Sequence, residues 1–397
     1  MKTVLHISAD FPDPMVPAKT KAVRNLLGAV SGFRHVVYSL NRVSWQTGVC
    51  ALPFGEDRTA IAYGAPPYGI ALARFLRPIA DFIAADLARQ NLRPDVIHAH
   101  KLSVEGLIAA DLAERLDIPF IASVWGDTDT KIINAKRGLR ERYRGIAARA
   151  ERLLPAAPWT ARYAIETLDA RPERIEVLPV VTAEDIIIPP DMRESERLIS
   201  VFALDSWQRK GLDVLCAAMR EVAAARPNVV LNIFGGGSPR AVFAARRVIE
   251  RARVSAQVRL RGALPHDRVQ PVMNGYAAYV MAPRRETYGM VHAEAVLAGL
   301  PVLWARDQGI DGLIDASAGV RCNASSAAEV AEGIMHLLAN QLGMKSAIAG
   351  LQTAGAFSHL QRHTIAHAYT AILTRAASGA ETRGRPARAR PRLVVAR

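Results

Sequence analysis

Buried strands and amphipathic helices alternate along almost the whole chain, and this pattern restricts the possible folds more than any other feature. Apolar segments at 3–8, 95–100 and 119–125 predict buried strands, and helices are predicted at 18–30 and 103–116. Near-continuous apolar strands separated by helices are typical of parallel sheets with right-handed crossovers. The sequence therefore predicts a doubly wound α/β fold.

The alternation stops once and then restarts, which indicates two domains. Residues 178–192 contain three prolines and no helical period, and a new strand is predicted at 197–204. The predicted organisation is a first Rossmann-like domain at 1–180, a linker at 181–195, a second Rossmann-like domain at 196–356, a helix at 357–377 that crosses back to the first domain, and a basic disordered tail at 378–397. In such folds ligands bind beyond the C-terminal ends of the strands, so we expect a site in the cleft between the domains.

Positive charge is concentrated at the end of the chain. The 397 residues include 51 lysines and arginines against 37 acidic residues, a formal net charge of +14. The last 23 residues hold seven basic side chains and one acidic side chain, and so supply +6 of it. This arginine- and proline-rich composition is typical of a disordered segment, which is either simply solvated or an electrostatic tether to an anionic surface.

Residues 131–152 form a second basic cluster, with eight basic side chains and two acidic ones. Apolar residues recur there at helical spacing, at 132, 139, 143, 146, 150 and 153. The pattern predicts an amphipathic helix whose basic residues meet an anionic membrane. The alternative is that the apolar stripe packs on the sheet of the first domain and the arginines are solvated.

Cysteine use and hydropathy indicate the compartment. The three cysteines lie far apart, which argues against a disulfide framework or a zinc cluster. Asp10 interrupts the N-terminal apolar segment before a signal-peptide core could form. The longest apolar run, near 296–305, is about half of the ~20 residues that a membrane span needs. We therefore expect a cytoplasmic protein, with peripheral attachment to the inner face of the cell membrane as an open option.

The stretch 282–303 carries the most specific candidate chemistry. Glu286 lies in a predicted loop, Gly289 opens a helix, and Glu294 lies inside that helix. Residues Gly289, Met290 and Val291 would present free backbone amides where a diphosphate can bind, with glutamates on either side to accept hydrogen bonds from sugar hydroxyls. The alternative reading is that Glu286 caps the helix and Glu294 is solvated.

Two further segments point to phosphate. A predicted strand runs into Gly235-Gly236-Gly237 and then a helix, so the turn either binds an anion or is simply tight. Lys210 stands just before Gly211 and another predicted helix, and a lysine ammonium is suited to phosphate. Dinucleotide and Walker A glycine motifs are missing after the first strand, which argues against NAD or ATP.

Together these residues resemble glycosyltransferase family 4, whose members have the GT-B fold and transfer sugar from a nucleotide donor with retention of configuration. The resemblance covers about residues 1–375 and is carried by KGLDVL, the glycine-rich turn and ETYGMVHAEAVLAGLPV, which matches the E-x7-E motif. It implies that Lys210 binds the donor diphosphate, that Glu286 contacts the transferred sugar and that Glu294 contacts the ribose. It also implies a UDP- or GDP-sugar as co-substrate, with no cofactor and no metal.

The sequence departs from the family pattern at three places. Leu204 stands where an arginine often shares the phosphate, so one of Arg209, Arg284 and Arg285 is expected to substitute. A family His-Gly pair is replaced by Trp125-Gly126-Asp127, and the first-loop glycines are replaced by a segment that includes Lys19. These residues are the candidates on the acceptor side of the cleft: Lys19, His100, Trp125, Gly126 and Asp127.

Asp127-Thr128-Asp129 also forms a D-x-D triplet, which holds a metal in another glycosyltransferase fold; here we interpret it as a polar loop. Three functions follow in order of preference. The first is a retaining, metal-independent hexosyltransferase acting on a lipid-linked or cell-envelope glycan, as in polysaccharide biosynthesis. The second is a GT-B enzyme acting on a soluble sugar or sugar phosphate. The third is a basic nucleic-acid or surface-binding protein, which the missing interleaved aromatics disfavour.

Overall fold

The structure is a computed structural model that describes residues 1–44 and 48–382. Within these residues the chain forms two α/β domains, each built on one sheet, so the predicted architecture is confirmed. The first domain has the strands β1 (Lys2–Ser8), β2 (Phe33–Val43), β3 (Val49–Pro53), β4 (Arg58–Gly64), β5 (Val96–Ala99), β6 (Phe120–Val124) and β7 (Arg152–Pro155). Its helices are α1 (Ala22–Gly28), α2 (Leu72–Arg89), α3 (Glu105–Leu116), α4 (Gly126–Ala135), α5 (Arg140–Arg149) and α6 (Pro158–Leu168).

The second domain follows an irregular linker. Its strands are β8 (Arg197–Val201), β9 (Val230–Phe234), β10 (Val258–Gly262), β11 (Ala278–Val280), β12 (Val302–Ala305) and β13 (Gly319–Cys322). Its helices are α7 (Leu212–Ala225), α8 (Pro239–Arg251), α9 (His266–Asn274), α10 (Met290–Leu297), α11 (Ala327–Ala339) and α12 (Gln341–Thr353), and a last helix, α13 (Arg362–Thr382), completes the described chain.

Strand order explains where a ligand can bind. In the described residues the first sheet has the order β3-β4-β2-β1-β5-β6-β7, and the second has the order β10-β9-β8-β11-β12-β13. In each sheet the order reverses beside the first strand of the domain, which creates a crevice at the carboxyl ends of the strands. The strands pair in parallel except β3, which pairs antiparallel with β4 at the sheet edge. The sequence predicted parallel pairing throughout; β3 differs because a short turn joins it directly to β4.

The predicted amphipathic helix over 131–152 is wrong. Helix α4 ends at Ala135, Lys136 leaves the helical region at φ −99° and ψ 59°, and α5 begins only at Arg140. The apolar residues Tyr143, Ile146 and Leu153 are fully buried in the core of the first domain. The apolar stripe therefore packs on the sheet, and only the basic side chains of this cluster face solvent.

Helix α13 ties the end of the described chain to the first domain. Ile365, Tyr369 and Leu373 pack with Val4 and Val23 on one face of the first sheet. The helix begins at Arg362 rather than at the predicted residue 357, because Gln361 is extended and the Asp185 carboxylate accepts the Arg362 N–H at 2.7 Å. It continues to Thr382, past the predicted start of the tail at 378, and the rest of the predicted tail, 383–397, lies outside the described residues.

Among the described residues, no helix combines the length and the apolar character required to cross a membrane.

Candidate active site

A cavity of about 240 Å³ lies in the cleft between the two sheets. The first domain and the linker supply Thr20, Ala22, Trp125 and Val180 to its wall. The second domain supplies Arg209, Lys210, Met281, Glu286, Thr287, Tyr288, Gly289, Met290 and Val291. The structure therefore brings together, in one cavity, most of the predicted donor-side residues and Trp125 from the predicted acceptor side.

Lys210 and Glu286 form the charged centre of this cavity. The Lys210 Nζ lies 2.5 Å from Glu286 Oε2, and each side chain is only 12% exposed. Burial alone would raise the pKa of the Glu286 carboxyl, but the neighbouring Lys210 ammonium and Arg209 guanidinium hold it below its usual value. Glu286 is therefore an anion at neutral pH, paired with a cation that faces the same space.

Close packing fixes the loop that carries Lys210. Gly211 begins α7 at φ +72°, and a Cβ atom on it would lie 2.8 Å from the carbonyl oxygen of Ala282. A glycine is required here because a side chain would push this loop away from the end of β11. The contact keeps Lys210 against the loop that contains Glu286.

Of the three arginines that were candidates for the missing family arginine, Arg209 lies in the cavity. Its Nη1 lies 4.0 Å from Glu286 Oε1. Arg284 instead binds Asp213 with both of its terminal nitrogens, and Arg285 faces Asp127 at 3.4 Å. The geometry therefore favours Arg209 as the second cation beside Lys210.

The N-terminus of α10 also opens into the cavity. Gly289 precedes the helix at φ +84°, and a Cβ atom on it would lie 2.8 Å from His292 Nδ1. Within the described residues, the backbone N–H groups of Gly289, Met290 and Val291 have no hydrogen-bond acceptor. Free amides and the helix dipole make this end of α10 suitable for an anionic group.

Glu294 lies apart from Glu286. It is buried in α10, it is not among the residues that line the cavity, and its carboxylate accepts backbone hydrogen bonds from Ala183 and Glu184 of the linker. Burial raises its pKa to about 7, although those hydrogen bonds oppose the shift. The predicted contact of Glu294 with a ribose stays a prediction.

The glycine-rich turn at 235–237 does not line the cavity. A Cβ atom on Gly235 would lie 1.8 Å from the carbonyl oxygen of Phe202, so the glycine permits two backbones to cross. Asp205 already accepts hydrogen bonds from the N–H and the hydroxyl of Ser238, which begins α8. The geometry favours the structural reading of this turn, and donor binding by Gly235 and Gly236 is still untested.

On the acceptor side, Lys19 is held inside the first loop. Its Nζ lies 2.8 Å from Asp13 Oδ2, 2.8 Å from Ser39 Oγ and 3.0 Å from the carbonyl oxygen of Leu40. These partners satisfy the three donors of the ammonium group. The lysine therefore anchors the loop, and its neighbours Thr20 and Ala22 reach the cavity instead.

The two aspartates of the D-x-D triplet have different surroundings. Asp129 is buried and accepts backbone hydrogen bonds from Leu102, Ser103 and Trp125. Asp127 faces Lys131 and, across the cleft, Arg285. The two carboxylates therefore do not converge, which agrees with the interpretation of this segment as a polar loop.

His100 belongs to a chain of buried imidazoles that the sequence analysis found only in part. His6 Nδ1 lies 3.1 Å from His100 Nε2, and His6 Nε2 lies 2.9 Å from His35 Nδ1. Burial lowers the pKa of His100 to about 3. Ligand nitrogens of His6, His98 and His100 all lie within 4.8 Å of one another, but each of these rings also has a hydrogen-bond partner within the protein.

A buried ionic cluster beside these histidines was missed. Lys101 Nζ lies 2.7 Å from Asp10 Oδ2, and Glu105 accepts the Ala9 N–H at 2.8 Å. Burial raises the pKa of Glu105 to about 7. The available signal was the position of Lys101 directly after a predicted strand, where polar groups collect in a parallel sheet.

The fold and the cleft define a protein of the GT-B class. Sucrose-phosphate synthase from Thermosynechococcus elongatus superimposes with a TM-score of 0.71 at 16% identity, over 96% of this chain and 100% of that one. Anabaena Alr3699/HepE in complex with UDP superimposes with a TM-score of 0.69 at 14% identity, over 94% and 100%. At these identities the likeness establishes the fold.

Sequence profiles then identify the family. The profile described as "Glycosyl transferases group 1" matches residues 195–340, and the profile described as "Glycosyl transferase 4-like domain" matches residues 28–180. The chain therefore belongs to the group 1 glycosyltransferases, which confirms the resemblance found in the sequence.

Three curated relatives show how far the similarity extends. The GtfA component of a UDP-N-acetylglucosamine–peptide N-acetylglucosaminyltransferase from Streptococcus gordonii is 31% identical over 34% of this chain and 25% of its own length. A D-inositol 3-phosphate glycosyltransferase from Segniliparus rotundus is 25% identical over 67% and 63%. The gpi3 component of the phosphatidylinositol N-acetylglucosaminyltransferase from Schizosaccharomyces pombe is 26% identical over 35% and 30%. The chain thus spans about a quarter of the first relative and just under two thirds of the second.

Proposed function

We propose that the protein transfers a hexose from a UDP- or GDP-sugar to a glycan acceptor, with retention of anomeric configuration. The observation that carries this proposal is the Lys210–Glu286 pair, which faces the free amides of Gly289–Val291 in one cavity. A cation and helix amides suit a diphosphate, and an anionic carboxylate suits the hydroxyls of a sugar. Both requirements of a nucleotide-sugar site are therefore met within a few residues.

The charge that develops on the departing diphosphate would be met by the second domain. Lys210 and Arg209 supply two cations, and the N-terminus of α10 supplies backbone N–H donors. Preorganised donors aimed at a developing charge are typically the largest single contribution to catalysis. On this basis the reaction needs no metal ion, because the protein itself neutralises the leaving group.

Glu286 would orient the reacting sugar rather than attack it. Its carboxylate is anionic and is already hydrogen-bonded to the Thr287 N–H at 3.2 Å and to Lys210, which fixes its position. No side chain is proposed as a covalent nucleophile. The acceptor oxygen forms the new bond on the face that the diphosphate leaves, and a diphosphate oxygen takes the acceptor proton.

For the acceptor we favour a lipid-linked or cell-envelope glycan at the inner face of the cell membrane. Relatives named for phosphatidylinositol support this class, as does the solvent-facing charge of the 131–152 cluster, where Arg137 and Arg142 are exposed. Each basic group near an anionic leaflet contributes about 1 kcal/mol. The attachment is electrostatic, since the apolar stripe of this cluster is buried.

A soluble phosphorylated acceptor is the second candidate. Relatives named for D-inositol 3-phosphate support it, and these cover a larger share of the chain than the phosphatidylinositol enzymes do. The two candidates share one chemistry, a phosphate-bearing acceptor, and differ in whether a lipid carries it. Flotation with neutral and anionic vesicles at low and high salt separates them, because the lipid-linked proposal requires salt-sensitive binding to anionic vesicles alone.

The donor is tested without any acceptor. The protein is incubated with a panel of UDP- and GDP-sugars, and slow release of UDP or GDP is measured against the Lys210→Ala variant. We expect one sugar nucleotide to be hydrolysed by the wild-type protein and not by the variant. Once an acceptor is found, a product of inverted anomeric configuration would contradict the proposed retention.

A further inference from the structure

Thr287, the residue after Glu286, uses all of its polar groups to join the site to the first domain. Its N–H donates to Glu286 Oε1 at 3.2 Å, so it holds the carboxylate. Its carbonyl oxygen accepts the indole N–H of Trp159 at 2.9 Å, and its hydroxyl oxygen accepts the Asp127 N–H at 3.2 Å. Two of these three hydrogen bonds come from across the cleft.

The position of the Trp159 ring depends on Gly126. A Cβ atom on Gly126 would lie 2.1 Å from Cζ2 and 2.3 Å from Cη2 of Trp159. Both distances are far below van der Waals contact, so any side chain at 126 would displace the ring from Thr287. The glycine of the Trp125-Gly126-Asp127 segment is therefore explained by its packing against a tryptophan of α6.

The start of α6 touches the loop around Glu286 at a second point. Arg162 binds Asp307 at 2.9 Å, and Gln308 and Gly309, which follow in the chain, hold the backbone N–H and carbonyl of Glu286. The Arg162–Asp307 pair is exposed and contributes little by itself. It does place the same helix against both supports of the Glu286 loop.

We propose that Trp159 is a positioning residue, which fixes the Glu286 loop through Thr287 and keeps the two domains closed at this corner of the cleft. The inference rests on the proposed transferase function for its consequence in turnover, whereas the closure itself follows from the contacts. It gives the first domain a direct effect on the orientation of Glu286 without contact with the donor.

The test compares two substitutions on the same helix. Trp159→Phe keeps a ring but removes the hydrogen bond to the second domain. Tyr163→Phe removes a hydrogen bond of equal length, 2.9 Å, from Tyr163 to Asn134 within the first domain. We expect Trp159→Phe to lower kcat about three- to tenfold with little change in the KM of the donor, the effect of one neutral hydrogen bond. Tyr163→Phe should leave both constants unchanged.

Domain closure is measured separately by fluorescence energy transfer in the ligand-free protein. One dye is placed on the exposed native Cys50 and the other on a cysteine introduced at exposed Arg246. Trp159→Phe and Gly126→Ala should both populate longer distances than the wild type and Tyr163→Phe. Identical distance distributions in all four proteins, or equal kinetics for the two phenylalanine variants, would overturn the proposal. If the wild type turns over no sugar nucleotide, the proposed function fails while the distance measurement still tests the contact.

Discussion

Lys210 Nζ lies 2.5 Å from Glu286 Oε2, and this pair joins two loops that are 76 residues apart in the chain. Neither charge is exposed enough for water to stabilise it well, so each depends on the other. A bound diphosphate would offer Lys210 a second anion, and Glu286 would then be released in part toward the sugar.

The first prediction concerns the lysine. Lys210→Ala should reduce the rate of donor turnover by a factor on the order of 10²–10³, because it removes a preorganised donor aimed at the leaving group. Arg259→Ala, which removes an exposed cation of the same domain, should have no effect. Wild-type kinetics in the Lys210 variant would refute the assignment of the donor site.

The second prediction separates the two glutamates. Glu286→Gln should mainly lower kcat, because the reacting sugar loses the anion that orients it. Glu294→Gln should mainly raise the KM of the donor, because the ribose does not react. Steady-state kinetics with one sugar nucleotide measure both constants. The same pattern in both variants would contradict the separate roles, and circular dichroism controls for loss of the linker contact of Glu294.

The third prediction concerns metal ions. Turnover should persist in excess EDTA, because Lys210, Arg209 and the amides of α10 neutralise the diphosphate. The measurement compares initial rates with EDTA, with added magnesium and with added manganese. Activity that vanishes in EDTA and returns with either ion would revive Asp127 as a ligand.

The fourth prediction concerns acid stability. His100, with a pKa of about 3 in the folded protein, stays neutral where an unfolded histidine of pKa about 6.5 takes up a proton. Stability is therefore lost as pH falls from about 6.5 toward 3, by up to about 1.4 kcal/mol per pH unit for this residue. Urea unfolding at pH 7 and pH 5 should show a smaller loss for His100→Gln than for the wild type.

The comparison with the variant isolates this histidine from other buried groups. Glu105 and Glu294, each with a pKa of about 7, take up protons in the folded protein between about pH 7 and 4.5 and so act in the opposite direction. They are present in both proteins. Equal losses of stability in the two proteins would show that His100 is not held neutral by burial.

The sequence was sufficient for the architecture because each buried strand is a short apolar run between helical periods. It also identified the E-x7-E segment, since the charged and glycine residues of that loop are adjacent in the chain. Residues 41–94 were not interpreted, and there the structure has β3, β4 and α2. An edge hairpin is only partly buried, and α2 contains Pro78, so neither gives a clear period.

Contacts between distant segments were not predictable in the same way. The ring of Trp159 against Gly126 depends on how α6 packs on α4, and no local pattern records it. Glu294 appeared beside Glu286 in the sequence, yet the linker residues Ala183 and Glu184 occupy its carboxylate. The 131–152 cluster failed for a related reason, because helical spacing continues across a break at Lys136 that only backbone angles reveal.

Helix α13 has a consequence for the order in which the protein is made. Ile365 and Tyr369 complete the apolar face of a sheet whose first strand begins at Lys2. During synthesis on the ribosome, the N-terminal sheet must therefore wait, with one face uncovered, until nearly the whole chain has emerged. The two domains cannot mature strictly one after the other, and the nascent chain is exposed to aggregation for most of its translation.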